Sequence, residues 1–373
     1  MTLSLRPERI LAVRDLLGET LQNIASSAGI SQSYLSEIAA GTRPFTLEHA
    51  EKIAAATGFP VEFFRVNAPT IGATTLQFRK LKSSKAKTTR KAMQYFREAS
   101  RVVQAIAPAS GLKTALLPYA DEPNVGVLDD EEIERTAGAV RALMQLGSTD
   151  PIPNVTRSIE RLGIVVIPVL LDPTDEVRVV EEGHFGISHG DSHGVPLVGY
   201  FPGSSPDRDR FTLGHELGHI LLHSHRSSED AEHEANRFAG AFLMTEAAAR
   251  SEMHSQITLS ELARVKARVG ISIQALIMRA AALHIINPQR QRSLFVQLSA
   301  RGWRQNEPVE VQPEHPILMR RLLELSLPDD PSSREIEKFT GLPRAYIRAI
   351  APSPLRRTEG IGRLSPLRAQ PAK

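Results

Sequence analysis

Apolar residues recur at helical spacing through the first 66 positions of the chain. The pattern is clearest in 6–17, where apolar side chains return every three or four residues and so share one face of a helix. Three more helices are predicted at 21–28, 32–40 and 47–57, and a glycine follows each of them. The pattern predicts an all-α domain at 1–66.

The middle of the chain mixes two kinds of pattern. A continuous, β-branched apolar run at 163–169 predicts a buried strand, and 183–188 and 195–201 predict two more strands. Helical spacing occurs on both sides of these strands, and such a mixture is typical of an α+β domain. The predicted helices lie at 131–146, 154–162, 209–224, 228–250, 260–269 and 273–283.

Two further regions flank this α+β part. A long helix is predicted at 85–107, and Pro108 is expected to end it. Near the other end, 315–325 and 332–350 have helical spacing, and we interpret 332–350 as a packing element. The stretch 352–373 is basic and poor in apolar residues, so we expect a flexible tail. The predicted organisation is multidomain: an all-α domain at 1–66, a basic connector helix at 67–120, an α+β domain at 121–290 and a mostly helical extension at 291–373.

Cysteine is absent from the 373 residues, whereas histidine occurs 12 times. Disulfides, thiol nucleophiles and zinc sites built from thiolates are therefore excluded, and a metal would have to be held by His, Asp or Glu. The segment 1–20 lacks the apolar core of a signal peptide, and no apolar run approaches the ~20 residues of a transmembrane helix. We expect a cytoplasmic protein with no membrane partner.

Charge is distributed unevenly, although the net charge of +3 is too small to indicate nucleic-acid binding by itself. The segment 79–91 contains seven basic and no acidic residues, and 121–134 contains seven acidic and no basic residues. The basic segment is a candidate for contacts with DNA phosphates, and a solvated charged surface is the alternative.

The strongest chemical pattern is His215-Glu216-Leu217-Gly218-His219. Positions four apart share a helix face, so His215 and His219 can bind one metal ion together. Glu216 lies about 100° round the helix, where its carboxylate can reach water at the metal and act as a general base. Zinc is the metal that this pattern favours. The surrounding positions in 211–222 are mostly apolar, and idle polar groups among them would be costly to bury.

A third ligand is expected from the next predicted helix. Glu232 and Asn236 are four residues apart and share a face, so Glu232 can bind the metal while Asn236 orients one of the histidines. Glu234 lies about 200° away from Glu232 round the helix and is a weaker candidate. His223 and His225 remain alternatives, and His223 could instead line the cleft or face the end of its helix.

The stretches 208–223 and 232–244 together resemble the ImmA/IrrE family of metallopeptidases. They read RDRFTLGHELGHILLH and EHEANRFAGAFLM, and the resemblance extends over roughly residues 125–290. Thr245 stands where this family commonly has proline, and Gly240 stands where alanine is commoner. Both differences concern the second helix and leave the metal-binding pattern intact.

This resemblance implies a zincin-like fold of the gluzincin type. It implies that His215, His219 and Glu232 bind zinc and that Glu216 is the general base. The activity implied is endoproteolysis of DNA-binding repressors in stress response or in the control of phages and mobile elements.

The stretch 21–43 resembles the helix-turn-helix of Cro/repressor-type proteins. In such modules the second helix of the pair enters the major groove of DNA by its N-terminal end. Pairing of two modules through the long connector helix would produce a homodimer, which half-site binding usually requires. A helical interaction module without DNA is the alternative. The candidate DNA contacts are Ser31, Gln32, Ser33, Tyr34, Ser36 and Arg43.

Together these patterns predict a DNA-associated zinc endopeptidase that cleaves a transcriptional repressor or a similar regulator. A transcriptional regulator whose peptidase-like domain senses a ligand without turnover is the main alternative, and a scaffold or antitoxin-like protein is a third. Glu216 favours the enzyme, because a sensor has no need of a general base.

Overall fold

The computed structural model describes residues 4–71, 77–80, 86–120, 126–172, 184–190, 194–203, 205–327 and 332–352. The predicted basic tail and parts of the basic and acidic segments lie outside these residues. Among the helices described, none is both long enough and apolar enough to span a bilayer.

The N-terminal part is helical, as the sequence predicts. Thr20 caps the second helix by accepting a hydrogen bond from the backbone N–H of Asn23 at 3.1 Å. Ser31 caps the third helix in the same way, through the N–H of Tyr34 at 3.4 Å. The elements are α1 (Glu8–Leu17), α2 (Leu21–Ser27), α3 (Gln32–Ala39), α4 (Leu47–Thr57) and a 3-10 turn (Val61–Phe64).

The long helix α5 runs over Ala86–Ser110. The expectation that Pro108 ends this helix is wrong, because the helix continues for two more residues. Pro108 lies in the last turn, so its missing N–H removes only one hydrogen bond, and the turn is kept.

A four-stranded sheet follows, in the order β1-β3-β4-β2. Its strands are β1 (Gln77–Lys80), β2 (Val165–Pro168), β3 (His184–His189) and β4 (Leu197–Tyr200). β2 and β4 are parallel, and the other pairs are antiparallel. Strand β1 was not predicted, because Gln-Phe-Arg-Lys contains only one apolar residue and no alternation.

The remaining helices surround the sheet. The single helix predicted at 228–250 is wrong, because two helices occupy this stretch. Thr245 interrupts it: its side chain accepts a hydrogen bond from the N–H of Ala248 at 3.1 Å and caps the second of the two helices. The helix at 288–300 was not predicted. The helices are α6 (Asp130–Leu143), α7 (Val155–Arg161), α8 (Pro206–His223), α9 (Ala231–Leu243), α10 (Glu246–Glu252), α11 (Leu259–Val269), α12 (Ile273–Ala282), α13 (Pro288–Ala300), α14 (Leu318–Ser326), α15 (Ser333–Thr340) and α16 (Arg344–Ile350).

A buried core lies on each face of the sheet. Val165 and Ile167 belong to a core shared with α1–α5, α14 and α16, whereas Ile164 and Val166 belong to the core that contains α6–α13. Successive residues of a strand point to opposite faces, so β2 contributes to both cores. The predicted layout, a helical N-terminal domain followed by an α+β part, is confirmed. The predicted connector helix α5 lies inside the first core.

A buried ion pair attaches the N-terminal helices to α5. The guanidinium of Arg9 donates two hydrogen bonds to the carboxylate of Glu98, at 2.6 and 2.9 Å. Arg101 donates to the same carboxylate at 2.8 Å and to the carbonyl oxygen of Thr340 at 2.6 Å. Burial acts to raise the pKa of Glu98, but Arg9 and Arg101 hold it below its ordinary value. Helix α1, α5 and the end of α15 are thereby tied together.

Candidate metal centre and nucleic-acid interface

Helix α8 carries the predicted metal-binding pattern in its interior. His215 and Glu216 are fully buried, and His219 is 2% exposed. The helix contacts β3 and β4 on one side and α9 on another. The two histidines lie one helical turn apart and point to the same side, which is the side of α9.

Two glycines allow α8 and α9 to pack closely together. A Cβ atom on Gly218 would lie 3.3 Å from the Cα of Ala235, and one on Gly214 would lie 3.5 Å from the Cα of Ala239. These glycines are four residues apart and form a flat strip along α8, against which the small residues of α9 rest. This close approach brings the first turn of α9 beside the two histidines.

Three side chains meet between these helices. The Nε2 atoms of His215 and His219 are 3.1 Å apart, and the carboxylate oxygens of Glu232 lie 3.6 and 3.4 Å from them. Among the residues that the structure describes, these three form the group whose donor atoms could hold a metal ion. Ligands bound tetrahedrally to zinc at about 2.0–2.1 Å would be separated by roughly 3.3 Å, so the spacing fits zinc.

The Nδ1 atom of each histidine contacts a second side chain, which orients the imidazole ring. Nδ1 of His215 lies 3.1 Å from Oδ1 of Asn236, in the arrangement that the sequence predicts for Asn236. Nδ1 of His219 lies 3.0 Å from Nδ1 of His223. The Nε2 atoms of both histidines are therefore the ones directed towards Glu232.

The alternative third ligands lie apart from the cluster formed by His215, His219 and Glu232. Glu234 is fully buried and accepts hydrogen bonds from Nε2 of His223 at 2.7 Å, from Arg226 at 2.9 Å and from Ser228 at 2.7 Å. The ring of His225 lies 4.6 Å from that of Tyr119. Glu232 is the carboxylate that faces the histidines, and its side chain is 57% exposed, so the cluster can be reached from solvent.

The inner pair of His223 and Glu234 is electrostatically unusual. Burial lowers the pKa of His223 to about 4, although the bond to Glu234 opposes this shift. Burial acts to raise the pKa of Glu234, but hydrogen bonds from His223, Ser228 and the N–H of Leu128 lower it to about 2. At neutral pH, His223 is therefore uncharged and Glu234 is ionised. Apart from the helical spacing of three histidines, nothing in the sequence predicts this pairing.

The side chain of Glu216 lies against Gly186 of β3. A Cβ atom at Gly186 would collide with the carboxylate and the Cγ of Glu216. Sequence reasoning missed the contact of Gly186 with Glu216, because it joins residues 30 positions apart. The small size of Gly186 leaves room for the carboxylate of the candidate general base.

On the prediction that Glu216 is the general base of a peptidase, Gly186→Ala is expected to lower peptide cleavage roughly tenfold to hundredfold, because a displacement of a reacting group by about 1 Å can cost 10²-fold. Zinc content should be unchanged, since the alanine touches Glu216 and not the metal cluster. Cleavage rates and bound zinc measure the two effects. Gly240→Ala is the matched control, because a Cβ there meets only ordinary contact with Arg279 at 3.6 Å. Equal activity of both variants would contradict the assignment.

At the other end of the chain, the N-terminal turn of α3 is open to solvent. Ser31, Gln32 and Ser33 are exposed, whereas Tyr34 and Ser36 are partly buried. The ring of Tyr34 lies 5.3 Å from that of His49. Short polar groups therefore project from the helix end that the sequence predicts to meet DNA.

Two family models match the chain. A helix-turn-helix model matches residues 10–64, and a model of the IrrE N-terminal-like domain, a peptidase family, matches residues 159–281. The chain therefore contains a segment similar to a helix-turn-helix domain, followed by a segment similar to the IrrE N-terminal-like domain. The predicted family resemblance and its order are confirmed. A search of curated proteins gave no match.

The helix-turn-helix domain indicates a DNA-binding regulator, and the IrrE-like domain indicates a domain of the peptidase type. The second match begins within α7 and ends within α12, so it spans α8 and α9 with the entire His-His-Glu cluster. The first match spans α1 to the 3-10 turn, including the exposed end of α3.

The side chain of Arg43 already interacts with two other residues of the helix-turn-helix domain. Its guanidinium pairs with the carboxylate of Glu37 and lies 4.7 Å from the ring centre of Tyr34. A DNA phosphate would have to compete with Glu37 for this cation. The hydroxyl of Ser31 caps α3 as an acceptor and also lies 3.5 Å from the hydroxyl of Ser33.

Proposed function

We propose that this protein is a DNA-associated zinc endopeptidase that cleaves a transcriptional repressor or a similar regulator, in stress response or in the control of mobile elements. The observation that carries the proposal is the spacing of the His215 and His219 Nε2 atoms and the Glu232 carboxylate, with Glu216 adjacent on the same helix. We place the activity in the cytoplasm, where repressors and their operators meet.

The donor set suits catalytic zinc. Two imidazole nitrogens and one carboxylate are ligands that zinc prefers, and three protein ligands leave a fourth position for water or substrate, as in catalytic rather than structural sites. Bound zinc would supply a Lewis acid that polarises the scissile carbonyl and acidifies water. His215, His219 and Glu232 would hold it.

Glu216 would move the protons of the reaction. Its carboxylate accepts a proton from the attacking water as the new C–O bond forms. It then delivers this proton to the leaving amine nitrogen as the C–N bond breaks, and so returns to its ionised form. Hydrolysis of a peptide bond is thereby balanced without any other acid or base.

The helix-turn-helix domain would bring this chemistry to DNA. Gln32 is exposed at the end of α3 and has an amide that can form two hydrogen bonds with adenine. A regulator bound at or near the same double-stranded operator is a natural substrate for such an enzyme. Two chains would bind paired half-sites as a homodimer.

The cleavage test uses the purified full-length chain loaded with zinc and repressors encoded by neighbouring genes. We expect cleavage at one site, its loss on chelation with 1,10-phenanthroline and its return with added zinc. His215→Ala should lose stoichiometric zinc and all cleavage. Stoichiometric zinc in this variant would contradict the ligand set, and intact repressors under every condition would contradict the enzyme.

Gln32→Ala is expected to weaken operator binding by about 1–3 kcal/mol, because a base contact of this kind is lost. Operator sequences selected from genomic fragments provide the probe, and fluorescence anisotropy at fixed salt gives the affinity. Glu48→Gln, on the exposed face of α4, is the control that should change little. Failure of the wild-type chain to select any discrete sequence would contradict DNA recognition.

One observation favours a second candidate, a regulator that senses without turnover. The helix-turn-helix domain shares a core with the sheet that lies over α8, and Arg9 and Glu98 tie it in place. Ligand binding at the cluster could then alter DNA binding. Zinc or peptide would change operator affinity, while the repressors stay intact.

A further inference from the structure

Three histidines, and not two, follow each other at four-residue intervals along α8. The third, His223, does not face the cluster: its Nδ1 lies 3.0 Å from Nδ1 of His219, and its Nε2 lies 2.7 Å from Oε2 of Glu234. All three side chains are buried. His219, His223 and Glu234 form a continuous chain of hydrogen bonds that leads from the cluster into the protein interior.

The positions of the hydrogens along these hydrogen bonds follow from the donors that contact Glu234. Its carboxylate receives the N–H of Leu128 at 2.8 Å, the hydroxyl of Ser228 at 2.7 Å and the guanidinium of Arg226 at 2.9 Å. Backbone N–H and guanidinium groups only donate, so Glu234 is an ionised acceptor. Nε2 of His223 must therefore carry the hydrogen that it shares with Glu234.

The remaining positions follow from charge and donor count. Arg226 already balances the charge of Glu234, so a second cation on His223 would be buried without a counter-ion. A neutral His223 with its hydrogen on Nε2 can only accept at Nδ1. Nδ1 of His219 must then be the donor of the 3.0 Å bond, which leaves its Nε2 with a free electron pair directed into the cluster.

We propose that His223 and Glu234 are positioning residues that fix His219 in the Nε2-ligand form and increase its electron donation to the metal. The inference rests on the proposed function, because it concerns the same site. His215 is held in the Nε2-ligand form by the neutral amide of Asn236. His219 is instead hydrogen-bonded to His223, which is hydrogen-bonded in turn to the ionised carboxylate of Glu234. Such outer partners typically change metal affinity or activity by 10–100-fold.

The test compares two substitutions of His223 in the full-length protein. His223→Leu removes both hydrogen bonds and should lower zinc affinity, measured by competition with a chromophoric chelator, by about 10–100-fold. His223→Gln keeps an acceptor for His219 and a donor for Glu234, so it should restore most of the affinity. The visible spectrum of the cobalt-substituted protein should change in His223→Leu and resemble wild type in His223→Gln, a difference that a purely structural role would not produce.

A second pair of variants tests the same proposal if His223→Leu fails to fold. Glu234→Gln should lower zinc affinity at least tenfold, whereas Ser228→Ala, which removes another hydrogen bond to Glu234 without touching His223, should change it little. Wild-type zinc affinity in His223→Leu or Glu234→Gln would overturn the proposal, as would equal losses in His223→Gln and His223→Leu with intact folding. A wild-type chain that binds zinc but cleaves nothing would refute the proposed function alone; one that binds no zinc would refute both.

Discussion

Glu216→Gln is expected to reduce cleavage of the regulator by about 10²–10⁴-fold, because positioned general acid–base catalysis contributes this much to a rate. Glutamine has nearly the same shape as glutamate but cannot accept the proton of the attacking water. Zinc binding should persist, since the atoms assigned to the metal belong to His215, His219 and Glu232.

Cleavage rates under single-turnover conditions and zinc content per chain measure these two properties separately. Glu229→Gln is the matched control: the same substitution at an exposed position just before α9 should leave both properties unchanged. Unchanged cleavage in Glu216→Gln would exclude Glu216 as the general base and would contradict the proposed mechanism. Loss of zinc along with activity would instead mean that Glu216 supports the cluster.

Helical periodicity was sufficient to predict much of the candidate site. The spacing of His215 and His219 put both on one face, and the spacing of Glu232 and Asn236 did the same on the next helix. It also separated Glu232 from Glu234, which point to different partners in the structure. Helix geometry alone determines which residues share a face, so these relative positions can be predicted from the sequence.

Contacts between distant segments were not predictable in the same way. Gly186 leaves room for Glu216, and Gly218 allows α9 to approach α8, but a glycine in a sequence does not reveal which residue approaches it. The role of Glu234 depends on Arg226 and Ser228, which reach it only because the loop before α9 folds back. These features depend on tertiary packing, which the periodicity of the sequence does not predict.

The burial of the long helix α5 was not predicted. The prediction of a connector and of a surface for DNA concerns the basic segment at its start and stays a prediction, whereas the later turns of α5 are largely buried among α1, α14 and the sheet. Arg9 and Glu98 are 89 residues apart, and each is an ordinary charged residue in the sequence. Only their burial as a pair shows that the helix-turn-helix domain is fixed to the rest of the chain.

Glu98→Gln is expected to lower the free energy of unfolding by about 3–5 kcal/mol, since removing one partner of a buried ion pair leaves the other charge uncompensated. Here two cations would be left: Arg9, which is 1% exposed, and Arg101, which also contacts Glu98. Glutamine keeps the size of the side chain, so the loss reflects charge and hydrogen bonding more than packing.

Urea unfolding followed by circular dichroism measures this change, with equal slopes required for comparison. Glu48→Gln breaks an exposed ion pair with Lys52 and should leave stability unchanged within error. A small loss in Glu98→Gln would mean that apolar contacts alone hold the helix-turn-helix domain on α5. Loss of the helix-turn-helix domain in a separate early transition would mean that the ion pair is its main attachment.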